Sequence, residues 1–173
     1  IRILLADDEL LIRTALAQML DLEDDLSVVG EAPNGELAVP LAVKQAVDVA
    51  VLDLQMPKLD GIAVAEALAE QLPGCGCVIV TSHGRPGHLK RALAAGVRGF
   101  LPKTTSAATL AQVVRTVHDG GRYVDPELAA EAIAAGDSPL TPRETDVLEL
   151  AASGAPIEEI ADRAALSPGT VRN

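Results

Sequence analysis

Aromatic residues are nearly missing from this chain of 173 residues: Phe100 and Tyr123 are the whole complement, and there is no tryptophan. Any core is left to Ala, Val, Leu and Ile. Cysteine is scarce as well. Cys75 and Cys77 stand one residue apart on an expected strand, so their side chains are expected to face opposite ways, where they neither pair easily nor share a metal. His83, His88 and His118 do not show zinc-ligand spacing with them. A disulfide scaffold is therefore excluded, and two plain thiols suit a reducing cytoplasm. No apolar run approaches the roughly 20 residues of a membrane span and no signal peptide opens the chain, so no membrane partner is expected. The first residue is Ile1 rather than Met, so at least an initiator is expected to be missing. Basic charge is short too, with 14 Lys and Arg against 25 Asp and Glu, a net −11 that by itself argues against nucleic acid. Residues 1–119 carry ten basic and fifteen acidic side chains, and residues 138–173 carry three Arg against six Asp and Glu.

What is present is apolar and periodic. Nearly half the residues are hydrophobic, which makes the chain globular rather than disordered and long enough for one domain or two small ones. The central stretch is Val47 to Asp60, VDVAVLDLQMPKLD. Its branched aliphatics Val47, Val49, Val51 and Leu52 read as one strand covered on both faces, the mark of a parallel sheet. That strand stops at Asp53, and Pro57 forbids its continuation. A carboxylate at the carboxyl end of a buried parallel strand lies where open α/β sheets place their chemistry.

Along the chain, Ile1 to Ala6 is a first strand ending at Asp7, Asp8 and Glu9. Leu10, Leu11, Thr14, Ala15, Met19 and Leu20 keep a helical period after it. Leu26 to Ala32 is a second strand, and Asn34 caps a helix to about Gln45. Asp60 caps a helix through Leu72, which Pro73-Gly74 ends. Val78 to Val80 is a fourth strand ending at Thr81, and Leu89 to Ala95 a short helix. Arg98 to Leu101 is a fifth strand ending at Pro102-Lys103. Ser106 caps a last helix with Leu110, Val113, Val114 and Val117 as its apolar stripe. Five strands alternating with five helices predict an α/β fold, a five-stranded doubly wound parallel sheet, over residues 1–119. Residues 120–138 read as a linker with a short helix, Pro126 to Ala135. From Pro139 the chain is helical: Thr141 caps a helix with Glu144 at the capping-box position, and two further short helices give a helix-turn-helix over residues 139–173.

In such a sheet the strand ends bring together Asp7, Asp8, Asp53, Thr81 and Lys103. Three crowded carboxylates repel one another unless a cation sits among them, and hard oxygen ligands suit Mg²⁺. An ammonium and a hydroxyl beside Asp53 complete a cradle for a phosphoryl group. Asp53 is then the nucleophile, Lys103 neutralises charge on the phosphoryl oxygens, and Thr81 bonds one of them.

With these residues in hand, the chain resembles the receiver domain of bacterial two-component response regulators. The matching residues are Asp7-Asp8, Asp53 with Met56-Pro57 and Asp60-Gly61, Thr81-Ser82, Gly96 to Phe100, and Lys103. The resemblance implies that Asp53 accepts phosphate from a sensor histidine kinase. It implies that Asp8, Asp53 and the backbone carbonyl of Gln55 ligate Mg²⁺, with Asp7 helping through water. Thr81 and Phe100 are its switch pair. Lys103 is followed by Thr104, where many receivers have a proline. Residues 139–173 resemble the LuxR-type helix-turn-helix of the NarL/FixJ class, through Leu140-Thr141, Arg143-Glu144, Val147-Leu148, Gly154, Glu159 to Ala161, Leu166-Ser167 and Thr170-Val171. By that resemblance Thr170, Arg172 and Asn173 are the DNA-facing residues, phosphorylation drives a homodimer, and the dimer reads operator half-sites about one turn apart. The match stops at Asn173, early in the expected recognition helix, so this form is expected to bind operator DNA poorly. A hydrolase of the haloacid-dehalogenase kind is the rival, but it wants an acid/base Asp two residues past the nucleophile, where this chain has Gln55. The expectation is a phosphorylation-switched, cytoplasmic transcription regulator and not an enzyme.

Overall fold

The computed structural model describes residues 1–82 and 86–135. The elements run β1 (Arg2–Ala6), α1 (Leu10–Leu20), β2 (Ser27–Ala32), α2 (Gly35–Gln45), β3 (Val49–Asp53), α3 (Gly61–Gln71), β4 (Gly76–Thr81), α4 (Pro86–Ala94), β5 (Gly99–Pro102), α5 (Ala107–His118), β6 (Tyr123–Val124) and α6 (Pro126–Ala134). His83 and the whole helix-turn-helix, with Thr170, Arg172 and Asn173, lie outside the described residues.

All strand pairs are parallel, in the order β2-β1-β3-β4-β5-β6. The side chains of each strand alternate between two cores. Leu4, Ala6, Ala50, Leu52, Cys77, Ile79 and Phe100 face the helices α2, α3, α4 and α6. Ile3, Leu5, Val49, Val51, Val78, Val80 and Leu101 face α1 and α5. This period of two, with both sets buried, is why the strands read as unbroken apolar runs. The chain leaves β1 for β2 on one side and returns to β3 on the other. Their carboxyl ends therefore flank the crevice where doubly wound sheets hold ligands.

The five expected strands are all present, and the sheet adds a sixth from the region read as linker. Tyr123 donates its N–H to the Arg98 carbonyl at 2.8 Å, and Asp125 donates to that of Phe100 at 2.9 Å. Two residues are too few to show a period, so β6 was invisible in the sequence. The expected caps Asn34, Asp60 and Ser106 each accept an N–H from three residues on.

Two expectations need correcting. On α1 the buried face is Arg13, Ala17 and Leu20, while Leu10, Leu11 and Met19 are exposed. Only Leu20 of the expected period lies on that face; the other two are a small residue and a charged one, so most of the apolar period pointed elsewhere. Cys75 lies in the turn before β4, its N–H bonded to the Leu72 carbonyl at 2.8 Å, so strand alternation does not reach it. Its thiol instead donates to the Gly76 carbonyl at 3.6 Å, and Cys75 packs against the same core that buries Cys77. Both cysteines are free.

Candidate functional site

Asp53 is the last residue of β3 and is buried. The chain turns sharply behind it: Leu54 donates to the Val80 carbonyl at 3.3 Å, and Gly61 to the Leu54 carbonyl at 3.1 Å. The start of α3 thereby presses against the strand end. A Cβ on Gly61 would collide with the Asp53 carbonyl oxygen, so only glycine lets the helix approach this closely. Asp7 follows β1, with its N–H bonded to the Ala32 carbonyl at 3.1 Å. Thr81 ends β4 and is buried, and its carbonyl accepts the Lys103 N–H at 2.7 Å. That bond sets Lys103 beside the pocket with every described peptide bond trans.

Lys103 Nζ lies 2.9 Å from Asp7 Oδ2, 3.2 Å from Asp53 Oδ2 and 2.9 Å from Glu9 Oε1. Burial works against this ammonium. Hydrogen bonds to Asp7 and Glu9 and the charge of Asp53 outweigh it, holding Lys103 above the usual lysine range and fully charged. Asp53 moves the other way. Burial is the largest cause and, with the charge of Asp7, pushes its carboxyl up to about 6 against the pull of Lys103 and a backbone hydrogen bond from Gln55. The carboxylate oxygens of Asp7, Asp8 and Asp53 lie within 4.8 Å of one another, with Asp8 exposed and the other two buried. Such a hard, anionic oxygen set fits a small divalent cation.

Asp7, Asp8, Asp53, Lys103 and Thr81 therefore converge at the carboxyl end of the sheet, as their spacing predicts. Gln55 sits exposed in the loop just past Asp53. Phe100 is fully buried in β5, opposite Ile79 of β4, in the core shared with α4 and α6. The helix α5 lies across the sheet from it.

Two residues escaped the sequence reading. Glu9 occupies the N-cap position of α1 without making a side-chain cap, and reaches Lys103 instead. Arg13 is buried, donates from Nη1 to the Asp7 carbonyl, and places Nε 3.3 Å from Glu31 Oε2 on β2. An arginine in an apolar period gives no signal of this kind. Only the fold shows that it ties α1 to the acidic strand end.

A family model described as the response regulator receiver domain matches residues 3–115, and one described as bacterial regulatory proteins of the luxR family matches residues 138–173. The transcriptional regulatory protein DesR of Bacillus subtilis strain 168 is 41% identical over 173 residues, covering 100% of this chain and 85% of DesR. The transcriptional regulatory protein UhpA of Salmonella typhimurium strain LT2 is 40% identical over 172 residues, covering 99% of this chain and 86% of UhpA. Among solved structures, a LuxR-family two-component response regulator from Aurantimonas sp. SI85-9A1 superposes with a TM-score of 0.72 at 26% identity, covering 78% of this chain and 96% of that one. The receiver sheet, its acidic strand ends and the LuxR-type region that follows place the chain among the two-component response regulators of the NarL/FixJ class, the family to which it belongs.

Proposed function

We propose that Asp53 is the phosphoacceptor of this regulator, taking a phosphoryl group from the phosphohistidine of a sensor kinase. The observation that carries this reading is the Lys103 ammonium 3.2 Å from an Asp53 oxygen, inside a pocket that also gathers Asp7 and Asp8. An Asp53 oxygen attacks phosphorus in line with the departing histidine nitrogen. Lys103 exchanges its bond to the free carboxylate for one to a phosphoryl oxygen, and Thr81 donates its hydroxyl to another. Asp7, Asp8, Asp53 and the Gln55 carbonyl are the groups that would hold Mg²⁺, which when bound supplies charge neutralisation for the transferred group. The chain is a regulator whose own chemistry is limited to accepting this group and losing it slowly.

The switch runs from Thr81 to Phe100, which lie on adjacent strands. The receiver signal passes to a homodimer and to the LuxR-type region, where Thr170, Arg172 and Asn173 are proposed to face operator DNA. No helix among the described residues is long and apolar enough to cross a membrane, and the proposed place of action is the cytoplasm.

Acetyl phosphate with Mg²⁺ tests the reading. The parent is expected to gain one stable phosphate per chain, and Asp53→Asn none, because the amide has the shape of the carboxylate without its nucleophilicity. Undiminished labelling of that variant, or many turnovers per chain in the parent, would reject the assignment. In Lys103→Ala the phosphoryl charge loses its partner, and labelling is expected to slow by roughly tenfold or more.

A further inference from the structure

Three carboxylates share the Lys103 ammonium, and the chemistry above uses only two of them. Asp7 and Asp53 belong also to the cluster with Asp8. Glu9 does not, although its Oε1 is as close to Nζ as that of Asp7, at 2.9 Å. The side chain of Glu9 is 55% exposed while that of Lys103 is 9% exposed, so the Glu9 carboxylate stands on the solvent side of the ammonium. It makes no cap for α1, so helix formation does not account for it.

We propose that Glu9 is a positioning and specificity-determining residue whose charge sets which small phosphodonors reach Asp53, disfavouring dianions relative to monoanions. The inference rests on Asp53 being the phosphoacceptor. The pocket gathers the four carboxylates of Asp7, Asp8, Asp53 and Glu9 around one ammonium, and a bound divalent cation would still leave negative charge in excess. A donor that carries two negative charges meets more repulsion than one that carries a single charge. Acetyl phosphate is such a dianion: its phosphorus forms a bond to an Asp53 oxygen as the bond to the acetyl oxygen breaks, and acetate leaves with the electron pair. Phosphoramidate near neutral pH is a net monoanion with a protonated nitrogen. Its P–N bond breaks as the bond to Asp53 forms, and neutral ammonia leaves. Both routes end in the same acyl phosphate, so the donor's charge is the variable that differs most between them. Glu9 is more than half exposed, so solvent screens much of what its pairing with the buried Lys103 adds to stability, yet its charge still acts on an arriving anion.

Glu9→Gln keeps an acceptor for Lys103 and removes only the charge. Because the position is exposed and caps nothing, folding is not at stake. At saturating Mg²⁺ and low salt, the ratio of initial labelling rates, acetyl phosphate over phosphoramidate, is expected to rise about threefold in Glu9→Gln and to fall back toward the parent value as salt is added. Glu9→Asp, which retains the charge, is expected to keep the parent ratio. Mg²⁺ affinity measured by calorimetry is expected to weaken about threefold in Glu9→Gln. An unchanged donor ratio or an unchanged Mg²⁺ affinity in Glu9→Gln overturns the inference and leaves Asp53 in place. A parent that neither donor labels overturns the phosphoacceptor reading beneath it.

Discussion

At the scale of single residues, the pocket is a place where charge is kept against burial. Asp53 releases its proton near pH 6 in the fold, whereas an unperturbed aspartate does so at 3.8. The folded state therefore holds that proton more tightly than the unfolded chain. Stability from the protonated carboxyl is fully present below pH 3.8 and is lost as pH rises through about 6. A shift of about two units corresponds to about 3 kcal/mol. In chelator, Asp53→Asn is thus expected to be about 2–3 kcal/mol more stable than the parent at pH 7.5 and to match it near pH 4. Urea unfolding at the two pH values measures this, and equal stability at pH 7.5 would show that the pocket does not strain against Asp53. Arg13 is a second buried charge: Nη1 donates to the Asp7 carbonyl and the guanidinium pairs with Glu31, while Nε makes no hydrogen bond. Arg13→Met keeps the aliphatic stem but leaves the Asp7 carbonyl without its donor, at an expected loss of about 1–3 kcal/mol. Denaturant unfolding would reveal an unchanged midpoint if that carbonyl bond were immaterial.

At the scale of elements, legibility followed how sharply each strand or helix is punctuated. The strands β1, β3 and β5 end in apolar-to-charged steps at Asp7, Asp53 and Lys103, so both the sheet and its reactive edge could be read directly. The α5 stripe Leu110, Val113, Val114 and Val117 is buried as its spacing predicts. The helix α1 could not be read this way, because its inner face is built from Arg13 and Ala17, and Leu10 and Leu11 drew the apolar period to the surface. Cys75 and Cys77 misled for a related reason: alternation applies within a strand, and Cys75 lies before one. The role of Glu9 depended on a contact 94 positions away in sequence, which no local pattern encodes. The tight turn between β3 and α3 gives an element-level test. Gly61→Ala drives a methyl toward the Asp53 carbonyl, and backbone at a strand end yields less readily than a side chain. A loss of about 1–3 kcal/mol is expected, together with slower labelling by acetyl phosphate because Asp53 itself must shift. Normal labelling would show that the turn has slack.

At the scale of the whole molecule, the two faces of the sheet are finished differently, and that bears on both partners and boundaries. The face with Phe100 carries α4, and α6 packs against α4 with Ala132 buried and Leu128 against the same core. The opposite face carries α1 and α5, and α1 leaves Leu11 at 83% and the following turn leaves Leu22 at 83% exposed. The first-and-last-helix surface is therefore the one we propose for the homodimer, and Leu11→Asp is expected to abolish any dimer that sedimentation detects with beryllofluoride and Mg²⁺. The sixth strand and α6 also bear on where the receiver unit ends. A proposed cut after residue 119 would remove Val124, Leu128 and Ala132 from the core around Phe100, and with them the hydrogen bonds of Tyr123 to Arg98 and Asp125 to Phe100. Burial of one leucine-sized side chain is worth about 1.5–3 kcal/mol, so residues 1–135 are expected to unfold about 2–4 kcal/mol harder than residues 1–119. Because the Phe100 carbonyl accepts the Asp125 N–H and Phe100 lies in the core that Leu128 and Ala132 share, beryllofluoride is also expected to change hydrogen exchange at the Asp125 amide. Matching urea midpoints for the two lengths would place the boundary at 119, and a larger midpoint for residues 1–135 would make β6 and α6 part of the receiver rather than a linker.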